Sequence, residues 1–120
     1  MTSISMPRII ITDTEEHLAS ICADFFYRTA IERMTQPGRF SVALSGGSTP
    51  RQMHRLLAMP PYITDVPWKR IDIYWADERL VLPNDPASNY GAAKKDLLDH
   101  LPIQKDQIHP MCSSQSPVQA

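Results

Sequence analysis

Phe40-Ser41-Val42-Ala43-Leu44, running directly into Ser45-Gly46-Gly47-Ser48-Thr49-Pro50, is the stretch on which the fold turns. Its first five residues are small or apolar and read as a strand buried on both faces. The doubled glycine ends the strand, and Thr49 and Pro50 read as the cap and first residue of a helix. Met53, Leu56 and Leu57 supply the buried side of that helix, and Pro60-Pro61 ends it.

On the N-terminal side, Arg8-Ile9-Ile10-Ile11-Thr12 is a β-branched run that predicts a buried strand. Asp13 and Glu16 form a capping-box-like helix start. Leu18, Ile21, Cys22 and Phe25 then recur at helical spacing, with Thr29 a turn further, and Pro37-Gly38 stops the helix. On the C-terminal side, Arg70-Ile71-Asp72-Ile73-Tyr74-Trp75 predicts another strand, followed by Asp77-Glu78-Arg79. After a Pro-rich loop, Ser88 caps a helix through Ala92, Ala93, Leu97 and Leu98, and Ile108-His109-Pro110 opens a further strand. This alternation predicts an α/β protein with parallel strands and crossover helices. Residues 1–112 form part of one domain, and 113–120 a polar tail.

In such a sheet, ligands collect beyond the carboxyl ends of the strands. Both the glycine loop and Asp77-Glu78-Arg79 emerge there. The first turn of a helix leaves N–H groups unpaired, and its dipole favours an anion. Gly46 and Gly47 permit close backbone approach, and Ser45, Ser48 and Thr49 add hydroxyl donors, so the loop is a phosphate-sized site. The alternative is a tight turn with an ordinary Thr cap. The loop lacks Gly-Lys-Ser/Thr and the G-x-G-x-x-G spacing, so neither ATP nor NAD is indicated. Arg79 has the fork geometry for a phosphate or carboxylate. Asp77 acts as a base or orients a hydroxyl, unless the three charges form a local salt-bridge cluster around Asp85. Asn89 either hydrogen-bonds across the pocket or fixes the turn, and Tyr90 reads as a packed aromatic.

His17, His54, His100 and His109 have no metal-ligand spacing, and no nucleophile–base pair is visible among them. His54, one turn into the helix after the loop, is at most a supporting residue. Cys22 and Cys112 read as reduced thiols. The net charge of -1 and the absence of a Lys/Arg run argue against a nucleic-acid partner. No stretch approaches the ~20 apolar residues that span a bilayer. Residues 1–8 lack an apolar signal core, so a cytoplasmic location is expected.

Taken in order, Leu44 to Pro50, then Trp75-Ala76-Asp77-Glu78-Arg79, then Asp85-Pro86-Ala87-Ser88-Asn89-Tyr90-Gly91 resemble the 6-phosphogluconolactonase family, which is grouped with the glucosamine-6-phosphate isomerase/deaminases. The resemblance implies an open Rossmann-like, mostly parallel sheet, here incomplete at its C-terminal side. It implies hydrolysis of 6-phospho-D-glucono-1,5-lactone to 6-phosphogluconate in the pentose phosphate pathway, without cofactor or metal. The substrate contacts it implies are the glycine loop (Ser45, Gly46, Gly47, Ser48, Thr49), Arg79 and Asn89. The deaminase branch typically has Tyr at the position of Arg79 and departs from Ser88-Asn89-Tyr90-Gly91, which favours the lactonase branch. Family members are longer and carry a later Asp-Gly-His whose histidine is the general base. The last glycine here is Gly91, so that segment is absent from this chain. The expectation is therefore an N-terminal half, a truncated form without the catalytic histidine, with little activity of its own. Its unfinished sheet edge invites self-association. The alternatives are an amino-sugar-phosphate isomerase/deaminase with Asp77 as the proton-abstracting base, and a non-catalytic sugar-phosphate-binding module.

Overall fold

The computed structural model describes residues 6–111. Its elements are α1 (Glu15–Arg33), β1 (Phe40–Leu44), α2 (Ser48–Leu57), the single-turn α3 (Tyr62–Asp65), β2 (Ile71–Trp75) and α4 (Asn89–Asp96). The expectations for Cys112 and for the polar tail fall outside these residues.

β1 and β2 pair in parallel, with Phe40 opposite Ile71 and Leu44 opposite Trp75, as a helical crossover between them requires. Leu44 O also accepts from Ala76 N at 2.9 Å, which carries the ladder to the ends of both strands. The fourth strand foreseen at residues 108–110 is reduced to one parallel bridge between Ile73 and Ile108. His109 N donates to Ile73 O at 2.8 Å. The next residue, Pro110, has no N–H to extend the pairing. The buried Gln107 pins this segment, because its Nε2 donates to Trp68 O at 2.9 Å and Ile71 O at 2.8 Å.

Side-chain alternation puts Phe40, Val42 and Leu44 on one face with Ile71, Ile73 and Trp75. Helices cover that face. Phe26 of α1 stacks on Trp68 with centroids 5.7 Å apart and meets Phe40 edge-on at 6.2 Å. Leu57 from α2, Ala93 from α4 and Leu97 at the C-cap of α4 complete the core. Each fully buried large side chain contributes about 1.5–3 kcal/mol, so this one cluster holds the layers together.

Several expectations are corrected. β1 is covered on one face only, since Ser41 and Ala43 are exposed. Residues 8–12 form no strand, and Ile9 and Ile11 are 79% and 89% exposed. A β-branched run stays irregular without a neighbouring strand to take its backbone hydrogen bonds, and none does so among the described residues. In α1 the buried stripe is Ala19, Ala23, Phe26 and Ala30, one position on from the expected one. Small residues let α1 lie close against its neighbours. The larger Leu18, Ile21, Cys22 and Phe25 instead line an apolar groove of about 490 Å³, opposite Phe40 and Val42. The cap of α1 is Thr14 rather than Asp13, with Thr14 Oγ1 accepting from His17 N at 3.0 Å.

Candidate functional site

The glycine loop joins β1 to α2 differently from the expected cap. Gly47 is itself the N-cap, with φ +109° and no side-chain cap bond. The helix therefore starts at Ser48, and Pro50 is its third residue, not its first. A positive φ turns the chain in one step, which glycine alone does without strain. The first-turn N–H groups of α2 have no helical acceptor, and Pro50 contributes none, so Ser48 and Thr49 present the amides of this cradle.

The two glycines have separate jobs. A Cβ on Gly47 would meet nothing closer than Pro50 Cδ at 3.8 Å, so its requirement is conformational. A Cβ on Gly46 would lie 2.1 Å from Asn89 Oδ1. Gly46 is bare because Asn89 lies against it. Asn89 Nδ2 donates to Asp77 O at 3.2 Å, so this amide joins the cradle to the end of β2.

The Asp77-Glu78-Arg79 segment divides into distinct roles. The Glu78 carboxylate accepts from the backbone N–H groups of Asn89 (2.7 Å), Tyr90 (2.8 Å) and Arg79 (2.8 Å). It binds the N-terminus of α4, where a negative charge suits the dipole. Ser88 Oγ adds the expected cap by accepting from Gly91 N at 2.9 Å. Tyr90 packs edge-on against Trp75 at 5.2 Å, as a core aromatic. Asp77 is exposed, and its backbone carbonyl makes the bond to Asn89.

Gly47, Ser48, Arg79 and Asn89 line one open cavity of about 420 Å³. The strand-end argument thus brings together residues more than thirty positions apart in sequence. Ser45, Gly46 and Thr49 belong to the loop without lining the cavity, and Asp77 is not on its wall. Arg51, Gln52 and Arg55 are on the wall and were missed by sequence reasoning. The available signal was two arginines one helical turn apart, immediately after the glycine loop.

Beneath these arginines lies Asp96, whose side chain is 5% exposed. It accepts from Arg51 Nε at 2.7 Å and Nη2 at 3.3 Å, and pairs with Arg55 Nε at 3.5 Å. Burial alone would raise the Asp96 carboxyl. The hydrogen bond and charge of Arg51, joined by Arg55, outweigh burial and hold it below the usual carboxylate range.

The histidines lie elsewhere. His54 is 2% exposed, off the cavity wall, with neither ring nitrogen hydrogen-bonded among the described residues. Burial lowers it to about 4, against a smaller opposing pull from Asp96. His109 stacks on Tyr74 at 4.4 Å and reaches Asp72 Oδ1 at 3.4 Å, near the N-terminal end of β2. His100 is exposed, with Nε2 3.1 Å from Lys95 O. Among the described residues no group of His, Cys, Asp or Glu is placed to hold a metal ion, and no helix is long and apolar enough to cross a membrane.

The family model described as glucosamine-6-phosphate isomerases/6-phosphogluconolactonase matches residues 13–120. A 6-phosphogluconolactonase of Haemophilus influenzae is 46% identical over 68 residues, covering 57% of this chain and 29% of its own. A probable chloroplastic 6-phosphogluconolactonase of Oryza sativa is 39% identical over 101 residues, covering 84% and 31%. The solved 6-phosphogluconolactonase of Trypanosoma cruzi superposes with TM-score 0.73 at 30% identity, over 88% of this chain and 39% of that one. The chain thus spans about a third of the length of these curated relatives.

Proposed function

Because the chain belongs to the glucosamine-6-phosphate isomerase/6-phosphogluconolactonase family, we propose that its cavity grips the phosphate of 6-phospho-D-glucono-1,5-lactone for hydrolysis to 6-phosphogluconate. The observation that carries this reading is Arg79 on the same cavity wall as Gly47 and Ser48. The α2 N-terminus and a guanidinium there converge on a single anion. We propose further that this reaction belongs to the pentose phosphate pathway and takes place in the cytoplasm.

The chain supplies the anion grip rather than water activation. His54 is sealed in the core, and His100 and His109 are off the wall. The base is therefore assigned to the Asp-Gly-His segment of the family, which these 120 residues do not contain. The 120-residue chain should bind 6-phosphogluconate saturably but hydrolyse the lactone no faster than buffer. Arg79→Met should weaken that binding by about tenfold to a hundredfold, the worth of a charge-assisted contact. Calorimetric titration checks this, and unchanged affinity in Arg79→Met would remove the proposal's footing.

The outer edge of β1 carries no strand among the described residues, and the apolar groove lies beside it. Such an edge is a template for pairing. The chain should therefore associate with further copies of itself as concentration rises. Sedimentation velocity showing a monomer at every concentration would count against this.

A further inference from the structure

Resting on that reading, we propose that Arg51 is a second anion-gripping side chain of the cavity and that Asp96 is the residue that positions it.

Arg51 lies one turn into α2, with its N–H donating to Gly47 O at 3.1 Å. Its side chain lines the same cavity as Gly47, Ser48 and Arg79. Asp96 approaches from α4 and takes the Nε and Nη2 edge of the guanidinium. An arginine has five N–H donors, so this grip leaves others available to a ligand. A guanidinium already held by a carboxylate has lost most of its rotamer freedom, so less ordering is needed when an anion arrives.

Charge counting points the same way. Arg51, Arg55 and Arg79 all line the cavity. Among the described residues, Asp96 is the one carboxylate ion-paired with Arg51 and Arg55. Two guanidiniums of this wall thus share a single carboxylate, and the positive charge left over from that pair suits a phosphate monoester, which carries about −1.5 to −2 at neutral pH. A pair serving only to join α2 to α4 would need one arginine, and would not need to sit on the wall of the anion cavity.

The test is calorimetric titration of 6-phosphogluconate into the 120-residue chain and its Arg51→Met, Arg51→Lys, Asp96→Asn, Arg51→Met/Asp96→Asn and Arg79→Met variants. Arg51→Met should bind about tenfold more weakly, and Arg51→Lys should recover part of the loss. Asp96→Asn should cost about fivefold alone and nothing further in the Arg51→Met background, because it acts through Arg51. Should Asp96→Asn fail to fold, the same cycle is run with Asp96→Glu, whose longer arm displaces the guanidinium. The same loss in both backgrounds would overturn the positioning role. Arg51→Met within twofold of the parent, with Arg79→Met strongly impaired, would overturn the Arg51 assignment and leave the proposed site standing. A parent that does not bind, or an Arg79→Met that binds normally, would remove the site itself and this inference with it.

Discussion

Replacing Gly46 by alanine lowers the stability of the chain by about 2 kcal/mol, the range expected for forcing a methyl group into a filled site. The backbone of Gly46 is not in the left-handed region, so the cost is steric. The new Cβ would meet the Oδ1, Cγ and Nδ2 atoms of Asn89 at 2.1, 2.5 and 2.9 Å. All three belong to one side-chain amide, and moving it sacrifices the bond to Asp77 O. It also disturbs the first residue of α4, whose N–H is held by Glu78. Thermal unfolding should shift down by about 10 °C for a domain of this size. Asn89→Ala removes both the three clashing atoms and the bond to Asp77 O, so in that background Gly46→Ala should cost almost nothing further. If Gly46→Ala costs as much in the Asn89→Ala background as in the parent, the close packing of Asn89 is not the reason for this glycine.

The second large effect concerns His54. In the unfolded chain a histidine titrates near 6.5, and in the folded protein burial holds His54 at about 4. Between those values the unfolded state binds more protons, so stability rises with pH. The folded state has its full stability above about pH 6.5 and loses it as pH falls toward 4, by about 3 kcal/mol at most. Asp96, held below the usual carboxylate range, adds to acid lability only below that window. His54→Leu should flatten the denaturation midpoint between pH 4 and 6.5. It should also raise stability at pH 7 by about 1–2 kcal/mol, because it removes two buried ring nitrogens that have no hydrogen-bond partner among the described residues. Urea titrations at pH 4.5 and pH 7 check both effects. An unchanged pH slope in His54→Leu would show that the acid sensitivity lies elsewhere.

Much of this architecture is legible in the chain. β1, the glycine turn, β2 and the Ser88-capped α4 follow from local propensity, capping chemistry and turn residues, which act over a few positions. The convergence of Gly47, Ser48, Arg79 and Asn89 follows from a topological rule, since loops at the carboxyl ends of parallel strands share one edge. What was misjudged depends on neighbours far away in sequence. Ile9, Ile10 and Ile11 have strand propensity but no partner strand among the described residues. The stripe Leu18, Ile21, Cys22 and Phe25 is more hydrophobic than Ala19, Ala23, Phe26 and Ala30, yet close helix packing selected the smaller residues. Glu78 read only as one of three adjacent charges, and its role in holding the N–H groups of α4 depends on residues more than ten positions away. Arg51 and Arg55 gain meaning only from Asp96, more than forty residues later in the chain.

In the proposed site, backbone amides at the start of α2, with Arg79 beside them, receive a phosphoryl group. Amide chemical shifts of the isotope-labelled chain, followed by NMR during a 6-phosphogluconate titration, test this residue by residue. Saturating shifts are expected at Gly47, Ser48, Arg79 and Asn89, with His109 and its surroundings unmoved. Shifts confined to the surface around Tyr74 and His109, or none at the glycine loop at saturation, would contradict this assignment.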